Sequence, residues 1–126
     1  MIRIPNFEQI MLLHEKIAAR TGGSAEVRER GLVESGLLRA EAGFGGVEIY
    51  DTVEKKAAAV CCGLIGNHGF VDGNKRIGVA AMLLILKMND IPMNYTQAEL
   101  TRFGLDAAQG RVSVEDALAW IKEHKA

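Results

Sequence analysis

His68-Gly69-Phe70-Val71-Asp72-Gly73-Asn74-Lys75-Arg76 separates two apolar, helix-patterned stretches, and its reading decides the fold. Upstream, Asp51 and Glu54 have capping-box spacing and open a helix through Val53, Ala57, Val60, Cys61 and Leu64. Downstream, a helix is expected from about Asn74 to Met88. Its apolar residues go all round, which predicts the central, buried helix, and Asn89-Asp90 stops it. The nine residues are therefore a turn between two helices. They bring a candidate base, a candidate cation ligand, a glycine-assisted turn and two cations to the start of the second helix. A helix start carries unsatisfied N–H groups and a positive dipole end, which suits a phosphate.

Each residue of the turn has a chemical and a plain reading. His68 is the candidate general base, since histidine as a residue type suits that role near neutral pH; alone, it would read as a cap or core histidine. Asp72 is a hard oxygen ligand of the kind Mg²⁺ takes together with phosphate oxygens and waters, or a helix N-cap. Gly73 lets backbone N–H groups approach a phosphate with no Cβ in the way. Asn74 either caps or touches phosphate. Lys75 and Arg76 oppose the helix dipole, a mild penalty unless an anion is present; Arg grips phosphate through two bonds, Lys as a point charge. Phe70 is expected to anchor the loop in the core and hold His68 in place. His14 lies on an apolar helix side and reads as structural. His14, His68, Cys61 and Cys62 show no zinc-ligand spacing.

Working outward, Phe7, Ile10, Met11, Leu13, His14 and Ile17 predict a first helix ended by Gly22-Gly23. A shorter helix is expected over Gly31 to Ala42. Three glycines in Gly43-Phe44-Gly45-Gly46 then break the pattern into a loop or flap reaching Tyr50. Ile91-Pro92-Met93-Asn94-Tyr95 reads as extended, paired with Ile2-Arg3-Ile4 in a short two-stranded ribbon. Thr96 with Glu99, and Ser113 with Asp116, start two further helices, with Gly110 between them. The expectation is an all-α fold, one domain over residues 1–126, of about six helices.

Bulk properties agree. A chain of 126 residues with 48% hydrophobic and 25% charged residues suits one soluble core. A net charge of −1 implies no general affinity for nucleic acid or anionic membrane. The apolar run Ile77 to Leu86 is too short to span a bilayer. Adjacent Cys61 and Cys62 point about 100° apart on a helix, so no disulfide is expected between them, and a reducing, cytoplasmic setting fits.

The string HxFxDGNKR resembles the motif of the Fic/Doc family, usually HxFx(D/E)GNGRxxR, and its Asn-Lys-Arg ending resembles the Doc (death-on-curing) branch. Lys75 stands where the usual form has its second glycine, and Val79 where it has its last arginine. Leu12-Leu13-His14, Gly31-Leu32-Val33-Glu34-Ser35 and Glu54-Lys55-Lys56-Ala57-Ala58 also resemble Doc-like segments. The resemblance implies that His68 takes the proton of a target hydroxyl. It implies Mg²⁺ on Asp72, and ATP phosphates on Gly73, Asn74, Lys75 and Arg76. A lysine at position 75 partly fills the anion pocket of the AMP-transferring forms. In the Doc branch this goes with a reversed nucleotide and transfer of the γ-phosphoryl group.

The implied function is a toxin kinase that phosphorylates a Ser or Thr hydroxyl of a translation factor, elongation factor Tu by resemblance, and arrests translation. AMP transfer, and a non-catalytic nucleotide- or partner-binding module, are the alternatives. No glutamate is followed by Gly or Asn, so the family's inhibitory (S/T)xxxE(G/N) helix is absent. Restraint is expected from a Phd-like antitoxin whose C-terminal segment folds into a groove. Gly69 stands where relatives often have proline, which predicts a more flexible loop. The Phe44–Tyr50 loop matches the family's target-holding flap in position, with a plain connector as the other reading.

Overall fold

A computed structural model describes residues 1–126 as six α-helices and one small antiparallel hairpin. The helices are α1 (Phe7–Thr21), α2 (Arg30–Leu38), α3 (Val53–Asn67), α4 (Asn74–Met88), α5 (Gln97–Ala108) and α6 (Val114–Glu123). A 3₁₀ turn, Arg39–Glu41, finishes the stretch expected as helix to Ala42. The hairpin pairs β1 (Gly43–Phe44) with β2 (Val47–Glu48).

The helix boundaries follow local chemistry. Capping boxes close Thr96 with Glu99 and Ser113 with Asp116, as their spacing predicts, and a third joins Asn6 and Gln9 at the start of α1. Gly22 ends α1 in the left-handed region at φ 77°. The start of α3 differs from the Asp51–Glu54 expectation. Thr52 is the N-cap and accepts from the Lys55 N–H, whereas Asp51 pairs with the Lys55 ammonium at 3.0 Å. A hydroxyl one residue nearer the helix wins the cap, and the longer-range charge pair takes the carboxylate.

The two-stranded pairing also lies elsewhere than expected. Asn89 occupies the place of a pairing strand: its side chain accepts from the Arg3 N–H at 2.7 Å and donates to the Arg3 carbonyl at 2.8 Å. The Ile91–Tyr95 stretch turns instead to the last residues, where Met93 bridges Lys125 and the Asn94 N–H donates to the His124 carbonyl. Regular pairing occurs in the glycine-rich loop, where Gly45 and Gly46 at positive φ supply the turn.

The core joins Ile10, Val33, Val60, Phe70, Ile77, Met82, Ile85 and Ile121. The most enclosed helix is α3 rather than α4: Lys56 to Cys61 are buried without a break, and Gly63 and Leu64 follow. Its alanines and glycines let neighbours close in. A Cβ on Gly63 would lie 2.9 Å from the Gly36 carbonyl of α2, and one on Gly78 2.9 Å from the Cys61 carbonyl. The apolar surplus of α4 is partly spent outside the core, since Ala80, Leu83 and Leu84 line an open groove with Leu13. Lys56 is the one buried ammonium. It donates to the Ala40 carbonyl and to Glu48 at 3.1 Å, tying the hairpin to α3. Cys61 and Cys62 are both free thiols, and burial pushes the Cys61 pKa up. No helix is long and apolar enough to cross a membrane.

Candidate active site

The α3–α4 turn is built by two left-handed residues. His68 ends α3 at φ 51°, ψ 46°, and Gly73 begins α4 at φ 75°. For a histidine this conformation costs roughly 1–2 kcal/mol, and the surroundings hold it. Arg28 Nε donates to the His68 carbonyl at 2.8 Å, and the Asn67 amide donates to the Leu32 carbonyl at 3.0 Å. The imidazole itself is left exposed.

Between the two, the loop is pinned on both sides. The Arg28 and Glu29 N–H groups donate to the Gly69 carbonyl at 2.9 and 3.0 Å, and the Val71 N–H donates to the Glu26 carbonyl. Gly69 does not loosen this loop, contrary to the reading from its sequence position. It is buried, and a Cβ there would fall 2.5 Å from Val33 Cγ2 and 2.8 Å from the Val33 nitrogen. Phe70 is 2% exposed and anchors the loop as expected, stacking on the His14 ring with centroids 4.0 Å apart.

Asn74 neither caps α4 nor points its amide at the cleft. It accepts from the Phe70 N–H and donates to the Phe70 carbonyl, both at 3.0 Å, so its side chain braces the loop. Asp72 is not the N-cap either. That position belongs to Gly73, whose N–H donates to Asp72 Oδ1 at 2.9 Å, and Asp72 stays exposed. The other five α-helices have a side-chain cap at their N-terminus, and α4 has none. Its first N–H groups therefore face the cleft without an acceptor.

All six sequence-predicted residues, His68, Asp72, Gly73, Asn74, Lys75 and Arg76, line one cleft of about 760 Å³. Lys75 and Arg76 are exposed there and pair with no carboxylate. Val79 lies deeper on the same helix. The opposite wall is α5, with Gln97, Thr101, Gly104, Leu105 and Ala108. That wall was invisible to motif reading, because nothing local in sequence signals which distant helix packs across a turn. Chemically, the cleft offers an exposed base, an exposed carboxylate, two cations and an uncapped helix start. No group of three or more His, Cys, Asp or Glu converges anywhere to hold a metal by side chains alone. A lone carboxylate fits a cation whose remaining ligands are substrate oxygens and water.

The hairpin takes no part in lining the cleft. Lys56 ties it near the N-terminus of α3, and His68 ends the same helix twelve residues on, about 18 Å away at the helical rise.

Comparison with known proteins agrees with this geometry. Residues 5–86 match the model of the Fic/DOC family. The chain is 31% identical over 107 residues to "Protein kinase doc" of Escherichia phage P1, covering 85% of this chain and 83% of that protein. It is 39% identical over 72 residues to "Toxin Doc" of Mycolicibacterium smegmatis, covering 57% of this chain but only 55% of the relative's length. With its helical fold, its motif gathered in one cleft and these relatives, the chain belongs to the Fic/DOC family.

Proposed function

We propose that this chain is a toxin of a toxin–antitoxin pair, acting as an ATP-dependent protein kinase on a Ser or Thr hydroxyl of a translation factor, with elongation factor Tu as the expected target. One observation carries the reading: His68, Asp72 and the unpaired Lys75 and Arg76 share one cleft with the only uncapped helix start of the fold. The names of the two relatives, a toxin and a protein kinase, support it.

In this reading a target hydroxyl docks beside His68, whose imidazole takes its proton. The oxygen bonds to the γ-phosphorus as the bond to the β–γ bridging oxygen breaks, and ADP leaves. Lys75, Arg76 and the α4 N–H groups stabilise charge on the phosphoryl oxygens. Asp72 would hold a Mg²⁺ ion, which would supply further charge neutralisation at the phosphates. The α5 wall is left for the rest of the nucleotide. Lys75 favours transfer of the γ-phosphoryl group, because its side chain occupies space that an outer phosphate would need in the AMP-transferring arrangement.

Because no hairpin residue lines the cleft, we favour the connector reading of that loop. An antitoxin segment has a place in the apolar groove between Leu13 of α1 and Ala80, Leu83 and Leu84 of α4, which extends along Ile91 to Tyr95. A Phd-like chain with an amphipathic C-terminal segment fits it. The setting that suits this activity is the cytoplasm, where the target and ATP are found.

Intact-mass measurement of elongation factor Tu after incubation with the chain and MgATP tests the proposal. Phosphorylation adds about 80 Da and AMP transfer about 329 Da, as follows from the groups moved. The expected product is the former, with a loss of about 10²–10⁴ in rate for His68→Ala. An AMP-sized adduct would replace kinase by AMP-transferase, and an unmodified target would exclude it as the substrate.

A further inference from the structure

The most unusual polar group outside the motif is His14. It is 1% exposed, and neither ring nitrogen makes a hydrogen bond. A neutral imidazole carries one donor and one acceptor, and burying both unmet is costly, so such a group calls for a reason. Its position supplies one. The ring stacks on Phe70, and a Cβ added to Gly73 would lie 3.1 Å from His14 Cε1. The imidazole is thus the floor of the Asp72–Gly73 turn.

Burial lowers the imidazole's pKa; the Asp72 carboxylate opposes it most, followed by the main-chain carbonyls of Asp72 and of Ser24, yet no group reaches hydrogen-bond geometry with either ring nitrogen. Ser24 sits in the α1–α2 loop, which closes over the turn from the other side. There, a Cβ on Gly23 would come 2.6 Å from Asp72 Oδ2. The carboxylate is therefore packed on Gly23, with the turn that carries it packed on His14.

We propose that His14 is a positioning residue for Asp72: a buried polar strut between the α1–α2 loop and the Asp72–Gly73 turn, which sets the direction in which the carboxylate meets Mg²⁺. The imidazole touches neither nucleotide nor target. This inference rests on the reading above that Asp72 takes the cation. Shape alone does not account for the site, since a phenyl ring fills similar space at no polar cost. What the imidazole adds is a single N–H that either carbonyl accepts after a small movement, which keeps the two loops in register.

Calorimetric titration of nucleotide with and without Mg²⁺ tests this on the whole chain. His14→Phe is expected to lose about tenfold in the Mg²⁺-dependent part of ATP affinity, while metal-free ATP binding stays within about twofold. His14→Gln, which keeps a donor and an acceptor, should recover most of the loss. Gly23→Ala leaves the imidazole untouched but crowds the carboxylate. It should reproduce the selective loss, and His14→Leu is the second apolar variant if His14→Phe fails to fold.

Wild-type metal dependence in His14→Phe overturns the proposal, and so does a loss equal with and without metal. Asp72→Ala is the control. If it leaves the Mg²⁺ dependence unchanged, the cation reading of Asp72 falls and takes this inference with it. If the control loses that dependence and His14→Phe does not, this inference alone falls.

Discussion

Two glycine-bearing turns, the α3–α4 loop and the β1–β2 hairpin, look alike in sequence and are opposite in mechanics. In the first, glycine is a demand for space. Gly69 sits against Val33, Phe70 is buried, and Asn74 closes the loop on itself. In the second, a Cβ on Gly43 would meet only the hairpin's own Val47 carbonyl, at 2.6 Å, Gly45 and Gly46 meet nothing within 4 Å, and the side chains of Phe44 and Val47, at 88% and 71% exposure, lie in solvent. Its main side-chain tie to the body is the Lys56–Glu48 pair. Glycine count therefore reports neither mobility nor function. Whether a Cβ would meet the body of the domain, as at Gly69, or only the hairpin itself, as at Gly43, separates a turn that fixes chemistry from one that merely connects.

The largest expected effect breaks the comparison at Gly69. Gly69→Ala forces a methyl into Val33 and should cost about 3 kcal/mol, an overpacking penalty of ordinary size, with loss of target modification. Gly46→Ala, strained only by φ 81°, should cost about 1 kcal/mol and leave activity intact. Urea unfolding of the two variants side by side measures both, and equal midpoints would erase the distinction.

Next is Asn74→Ala, which leaves the Phe70 N–H and carbonyl without partners and should destabilise by about 2 kcal/mol. Its activity should fall through disorder of the loop rather than loss of a phosphate contact. Asn74→Asp, which keeps the acceptor, should then recover part of both.

A smaller effect belongs to the hairpin. Lys56→Met puts an apolar chain of similar length in place of a buried ammonium but leaves the buried Ala40 carbonyl without its donor, and should cost about 1 kcal/mol. It should nevertheless accelerate hydrogen exchange across residues 43–49 and leave residues 69–74 unchanged. Faster exchange in the motif loop would show that the two turns are coupled after all.

The smallest effect is a pH dependence, and it too divides the molecule, because no imidazole underlies the hairpin. His124 bonds the Trp120 carbonyl at 2.8 Å and Glu99 at 3.0 Å, and these acceptors raise its pKa. Its stabilising share is full below the unfolded value near 6.5 and is lost as pH rises through the higher folded value. The Tm difference between wild type and His124→Gln should thus be larger below about pH 6.5 than well above it. His14, lowered by burial, acts in the opposite sense: acid below about pH 6.5 protonates the unfolded chain first and favours it. Acid sensitivity should therefore steepen once His124 is gone.

Much of this was legible in sequence where the cause is local. The capping boxes at Thr96 and Ser113, the Gly22 stop and the Asn89-Asp90 end of α4 depend on residues within a turn of each other. The gathering of His68 to Arg76 in one cleft followed from their adjacency. Long-range causes stayed hidden. Gly69 could not be distinguished from a flexible glycine until Val33 was seen against it, nor Asn74 from a phosphate ligand until Phe70 was. The α5 wall, the buried Lys56 and the true partner of Ile91–Tyr95 all depend on contacts made across tens of residues. Periodicity also could not rank α3 against α4, because an alanine-rich helix attracts close neighbours while scoring as less apolar.

The left-handed His68 has one further consequence. The residue read as the base is also the last word of α3, so its imidazole stands where a helix ordinarily begins to fray. Were Arg28 and Asn67 to release their acceptors, the final turn would be free to unravel and the base would lose its address while the rest of the domain stayed folded. Competence would then be a local folding equilibrium, and a chain still emerging from synthesis, with α2 not yet docked on α3, would carry every reactive residue and yet be unarmed.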